Sequence, residues 1–268
     1  MIDRVAARVA LAVTSGEVVA PIALRLLLRR FIAAGEEYRA PLALALGADV
    51  NADTSPDPER LLLLAEALPV ADDAWMRERV SRHAAELSAV WPSRGSVADA
   101  ARTVASCLAA GTALGADALI VRAVDELEHV VAVAYEPGDG IAQMLSTRTR
   151  STGDLATHVA MAGALLSAYD VADRPAYPML AEELMRTVLR EPPDEPPCLA
   201  SLEGARILAR LVALQRDAEY RAIAVTRDDH DFQRVGEAWL RAAEADTTLP
   251  LAVAAAYALA VDEWLRIT

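Results

Sequence analysis

The stretch "HVAMAGALLSAYDVADRPAYPMLAEELMRTVL", residues 158–189, decides the fold. An apolar run with helical spacing ends at Ala168-Tyr169. A short link containing Asp follows, and Tyr177 opens a second apolar run. Two helices joined by a tight tip satisfy this pattern. The tip recurs as "ALPVADDAW" (67–75), "ALGADALI" (113–120), "AYDVADRPAY" (168–177) and "ALQRDAEY" (213–220). An Asp near the start of the second helix accepts from orphan backbone N–H groups and suits the positive end of the helix dipole. Recurrence of one supersecondary unit is the mark of a repeat architecture.

The spacing between tips is informative. Ala67, Ala113, Ala168 and Ala213 stand 46, 55 and 45 residues apart. The middle interval is about ten residues longer than its neighbours, and the excess lies between Tyr135 and Gly153. This oversized junction falls on the side opposite the tips. Its tail, "MLSTRTRSTGDLATH" (144–158), holds two arginines, a Gly-Asp pair and one of the chain's four histidines. Long insertions at repeat junctions are where such folds place function.

Elsewhere the periodicity is helical and almost nowhere alternating. Val5, Val9 and Val13 share one face, as do Leu24, Leu27, Leu28 and Phe31. Pro and Gly fall between the runs, at 54–58, 92–95, 137–140 and 191–197. The expectation is an all-α chain of about eleven helices. It forms a single domain over 1–268, with less regular N-terminal helices over 1–56 and αα-hairpin repeats over 57–268. A long degenerate period favours a closed α/α toroid over an open solenoid.

Composition narrows the function. Apolar residues make up 54% and aromatics 4%, so the core is built from Ala, Leu and Val, which favour helices. A net charge of −13 disfavours nucleic acid as a partner. All 26 basic residues are Arg, which excludes Schiff-base, P-loop and Ser-Lys chemistry. Cys107 and Cys198 give neither a disulfide framework nor a metal cluster, so a reducing, cytoplasmic setting is expected. The N-terminal run is broken by charge and reads poorly as a signal peptide, and the apolar runs at 103–121 and 249–261 read as buried helices rather than membrane spans. Neither a cofactor motif nor a metal motif is present, and none is expected to bind.

The 158–189 stretch resembles the inner-then-outer helix pairs of the six-hairpin α/α-toroid superfamily, which holds N-acylglucosamine 2-epimerase-like proteins and many glycosidases. A nearer likeness is to the helical region that follows the thioredoxin-like domain in a group of bacterial proteins, although that domain and its Cys-x-x-Cys are absent. The tail "LPLAVAAAYALAVDEWL" (249–265) is similar to the closing helix of those proteins. The resemblance covers about residues 100–268 and implies a concave toroid end for a sugar-like ligand. The length is short for six full hairpins, which leaves the ring incomplete, completed by the N-terminal helices, or completed by another subunit.

Candidate residues follow. Asp154 and His158 are four apart and share a helix face, as a general acid–base pair would. The same segment, with Ser151 or Thr152 ahead of Asp154, also reads as a plain helix cap. Arg148 and Arg150 suit an anionic ligand group. His230, among the aspartates of "DDHDF" (228–232), is a second catalytic candidate and also a helix start. "DELEH" (125–129) has a Glu-x-x-His spacing without the second copy a metal site needs, and reads as a solvated face. "EPPDEPP" (191–197) reads as a stiff acidic linker. The favoured reading is a non-catalytic domain binding a sugar-like ligand or a protein partner. The alternative is a carbohydrate-active six-hairpin enzyme, an epimerase or glycoside hydrolase.

Overall fold

The structure, a computed structural model, describes residues 1–51, 57–71, 73–91, 95–145, 151–190, 198–224, 231–244 and 249–267. The described residues form thirteen α-helices: α1 (Ile2–Thr14), α2 (Pro21–Ala34), α3 (Arg39–Asn51), α4 (Pro58–Ala71), α5 (Ala74–Ala89), α6 (Val97–Leu114), α7 (Asp117–Ala134), α8 (Leu155–Ala172), α9 (Ala176–Leu189), α10 (Leu199–Arg216), α11 (Ala218–Ile223), α12 (Phe232–Glu244) and α13 (Leu251–Ile267). A short antiparallel hairpin, β1 (Tyr135–Glu136) and β2 (Gly140–Ile141), lies between α7 and α8.

The helices form two concentric layers. In the inner layer α2 packs on α4, α4 on α6, α6 on α8, α8 on α10 and α10 on α13, and α13 returns to α2. The ring is therefore closed within one chain. Around it, α1 covers α2 and α13, α3 packs on α1 and α2, α5 lies against α4 and α6, α7 against α6 and α8, α9 against α8 and α10, and α12 against α10 and α13. The chain is an all-α, six-hairpin α/α toroid. Of the three ways left open for the ring, completion by the N-terminal helices is the one found. The N-terminal segment supplies regular helices, and α1 to α3 join α13 to complete the circle. The helix count exceeds eleven partly for the same reason. It also rises because Asp217 caps the six-residue α11 before the outer helix α12 begins.

The inner ring is built from small residues. Ala254, Ala255, Ala256, Ala258 and Ala260 of α13 are all buried, in a helix held between α10 and α2. Alanine loses no side-chain entropy in a helix and lets neighbouring backbones approach closely. Gly204 of α10 takes this further: a Cβ there would sit 2.6 Å from the Trp239 ring of α12. The Trp264 indole donates its N–H to the Ala205 carbonyl at 2.9 Å, pinning α13 to α10. α8 is long and apolar enough to cross a membrane, yet it is an inner helix of the ring, flanked by α6, α9 and α10.

The tips behave as the sequence suggests, with one change. Asp73 accepts from the Trp75 N–H at 3.0 Å, and Asp217 accepts from Glu219 and Tyr220 N–H at 2.8 and 2.9 Å. Asp117 opens α7 from its first turn. Asp173 differs: it ends α8 in a left-handed conformation, φ 50°, instead of capping α9.

Substituting Gly204→Ala should lower unfolding free energy by about 1–3 kcal/mol, because the new methyl overpacks against Trp239. Gly47→Ala, a helical position where an added Cβ meets nothing within 4 Å, should raise it by up to ~1 kcal/mol. Urea denaturation of the two variants checks both signs.

Candidate functional site

The inner helices run in one direction, because each alternates with an outer helix running back. They enclose two adjoining chambers. The one toward their N-termini has a volume of about 160 Å³ and is faced by Glu59, Arg102, Gly163 and Glu203. The one toward their C-termini is about 590 Å³ and is faced by Arg29, Glu66, Asp170, Arg210 and Glu263. Arg25, Ser167, Arg206 and Arg210 border both chambers. The polar lining sits at helical spacing: Glu59, Leu62 and Glu66 on α4, Glu203, Arg206 and Arg210 on α10. Among the described residues no aromatic side chain lines either chamber.

The lumen is a charge network. Arg25 grips Glu66 through two bonds, Nε–Oε2 at 2.8 Å and Nη2–Oε1 at 2.6 Å. Burial pushes the Glu66 carboxyl upward, but Arg25 outweighs it and holds the group below the usual carboxylate range. Arg210 bonds Asp170 at 2.7 Å, and Arg206 faces Glu263 at 3.5 Å. Glu59 and Glu203 have no hydrogen bond or ion pair among the described residues. Burial, and then the negative charge of Glu59, push the Glu203 carboxyl above its ordinary value. Arg102, Arg206 and Arg25 pull the other way without overcoming this. The narrower chamber thus holds one acid that keeps its proton more readily than usual, with a second carboxylate in the same space.

The oversized junction lies over the N-terminal end of α6 and α8. The Val97 N–H bonds Gln143 O at 3.0 Å, Leu145 N–H bonds Gly95 O at 3.0 Å, and Gln143 N–H bonds Ser151 O at 2.9 Å. The junction is also fastened to α9, where the Tyr135 hydroxyl donates to Glu183 at 2.7 Å. The excess residues therefore form a small β-hairpin and isolated bridges, which an all-helical reading leaves out.

Asp154 and His158 lie at its foot. Asp154 is itself the N-cap of α8, accepting from the Thr157 N–H at 2.9 Å and the Thr157 hydroxyl at 2.7 Å. Burial opposes its charge, but the bonds from Thr157, with a further one from Gln143, hold its carboxyl below the usual range. His158 is 1% exposed. Its Nδ1 donates to the Asp154 backbone carbonyl at 3.0 Å, and its Nε2 accepts from the Ile141 N–H at 3.4 Å. Both ring nitrogens are occupied, and the imidazole meets the Asp154 main chain, not its carboxylate. Gly140, at φ +84°, lies directly over the ring, and a Cβ there would come within 2.6 Å of His158 Nε2. The pair thus ties the inserted hairpin to α8, and neither residue lines the lumen. Arg148, Arg150 and His230 lie outside the described residues, as does the acidic linker at 191–197. His129 and Asp125 are exposed on the outer helix α7.

The lumen charges carry no motif. Their one signal is isolated charge in an apolar run, such as Glu66 in "LLLLAEALPV" or Arg206 and Arg210, four apart, in "GARILARLV".

No protein-family model matches the chain, and no curated protein matches it. Solved structures do. The α-1,6-mannanase GH76A of Salegentibacter sp. HEL1_6 superimposes with a TM-score of 0.71 at 11% identity, covering 100% of each chain. An inactive variant of that mannanase, in complex with α-1,6-mannotetrose, gives 0.69 at 11% identity, over 92% of this chain and 88% of the other. An unsaturated glucuronyl hydrolase specific for heparin gives 0.71 at 11% identity, over 99% and 97%. The shared property is the fold. These similarities make the toroid secure and leave the residues of the site to be argued from this chain alone.

His158→Gln should cost about 1–3 kcal/mol of stability, since it leaves buried partners on the hairpin and on α8 unpaired. Burial holds the His158 imidazole below its ordinary value of 6.5, so the unfolded chain takes up the proton first as pH falls. Stability is therefore full above that value and drops below it. His83, also held low by burial and then by Arg79, adds a slope of the same sign. Denaturation midpoints compared at about pH 7.5 and about pH 5.5 should show a smaller decline in His158→Gln than in the wild type.

Proposed function

We propose that the lumen is the ligand site of a carbohydrate-active, glycoside hydrolase-like protein, with Glu203 as proton donor and Glu59 as the partner carboxylate. The supporting observation is the pair of carboxylates in the narrower chamber, both without a bonding partner among the described residues, one of them with raised proton affinity. Glycoside hydrolysis needs such a division: one carboxyl protonated to assist the leaving group, one ionised to act as nucleophile or to activate water. The neighbours that share the fold, a mannanase and a glucuronyl hydrolase, add support at the level of substrate class. On this reading the inserted hairpin packs on α7, α8 and α9 and supplies no residue to the chamber lining. Asp154 and His158 hold that hairpin in place and do not touch substrate.

A second reading, a binding module without catalysis, is favoured by one feature. An apolar groove of about 350 Å³ runs between α2, α3, α4 and α5, lined by Phe31, Leu42, Leu46, Trp75 and Met76. Trp75 there is 40% exposed.

The test is turnover of a panel of neutral and uronate-terminated glycosides. Glu203→Gln should lower kcat/KM by about 100-fold or more with an unchanged melting temperature. Absence of turnover across the panel, or full activity in Glu203→Gln, would sink the hydrolase reading. If turnover is absent and Trp75→Ala abolishes binding of a captured ligand, the binding-module reading takes its place.

A further inference from the structure

We propose that the wider chamber, at the C-terminal side of the inner helices, is a binding site for a compact oxyanion, a carboxylate or phosphate carried on a sugar-sized body. The Glu59 and Glu203 pair face the adjoining chamber, which shares Arg25, Arg206 and Arg210 with this one.

The argument begins with charge. Arg25 and Arg29 lie one turn apart on α2, and Arg206 and Arg210 one turn apart on α10, all four bordering the same space. Three acids answer them: Glu66, Asp170 and Glu263. Arg25, Arg206 and Arg210 also border the narrower chamber, so Arg29 is the one arginine among the described residues that lines the wider chamber alone.

The uncommitted donors have an address. Arg25 and Arg210 are each spent on a close partner, at 2.6 Å to Glu66 and 2.7 Å to Asp170. Arg29 has no hydrogen bond or ion pair among the described residues. Arg206 has only a long 3.5 Å approach to Glu263, and its Nε is buried without a partner. A guanidinium carries five N–H donors in a planar fork that matches a carboxylate or phosphate edge. A buried donor left unpaired is costly, and an oxyanion between Arg29 and Arg206 would satisfy it. The inner helix C-termini oppose an anion, but that effect fades within the last turn. Arg29 and Arg206 both lie more than one turn from the ends of their helices, Ala34 and Arg216. The volume of about 590 Å³ falls in the range of small-ligand sites. The absence of aromatic lining disfavours a neutral sugar held by stacking, and leaves charge as the means of recognition.

Calorimetric titration of the whole protein at low ionic strength tests this, using D-glucuronate, glucose 6-phosphate, inorganic phosphate and glucose as probes. At least one charged sugar should bind about tenfold or more tighter than glucose. The stronger of the two identifies the oxyanion, and inorganic phosphate binding as well as glucose 6-phosphate would reduce the site to one for free phosphate, overturning the sugar body. Arg29→Gln removes a half-buried, unpartnered side chain and should weaken the charged sugar about tenfold. Asp170→Asn frees Arg210 and should tighten it. Glu203→Gln, which removes the proposed proton donor, should cut turnover while the charged sugar still binds tighter than glucose, so this site and the hydrolase reading fail separately. Equal binding of glucose, no binding of any probe, or affinity indifferent to Arg29→Gln would overturn the proposal.

Discussion

Everything in this molecule depends on how closely the six inner helices approach one another. A closed ring needs each inner helix to bury two flanks against neighbours and its back against the outer layer. Only a narrow stripe is left for the lumen. Alanine on α13 and glycine at 204 make the approach possible. The low aromatic content follows from the same constraint, because bulky rings on the inner flanks would hold the helices apart. Two of the four tryptophans sit where a glycine makes room: Trp239 over Gly204 and Trp264 over Gly236.

That stripe is also where the chemistry collects. Since the flanks and back of each inner helix are committed to packing, charged residues on these helices are drawn to the lumen. There they must neutralise one another or be costly to bury. The Arg25–Glu66 pair is the tightest result. Glu203, lacking such a partner, responds by holding its proton more strongly. A single-sided allowance for polar residues thus generates both a close ion pair and an acid of raised proton affinity from the same packing rule.

Much of this architecture was legible in the sequence. The tips are local events, set by an Asp and a change of helix direction, and a linear reading finds them. The surplus between Tyr135 and Gly153 was legible as a length, though not as a β-hairpin, because two-residue strands leave no alternation to detect. The long, degenerate period favoured closure of the ring, though it did not show the contact that makes it. Closure rests on α13 meeting α2, a contact between the two ends of the chain that no local pattern encodes. The lumen site was missed for a related reason. Glu59, Glu203 and Arg25 lie far apart in sequence and converge only when the circle closes. Asp154 and His158 were legible in two ways. Their spacing suggests a dyad, and the helix-cap reading offered beside it matches the bonds that the carboxylate makes, while two backbone groups claim the ring.

The seam between α13 and the α1–α2 pair has a further consequence. In an open stack of repeats the terminal units have one neighbour each, and such arrays fray from their ends. Here no hairpin is terminal, so opening any one of them breaks an interface on both flanks. The seam differs from the other inner junctions only in lacking a covalent connection. Losing it would turn the toroid into an open stack with two exposed apolar flanks. The cooperativity of the whole fold is thus concentrated in the packing of one alanine-rich helix.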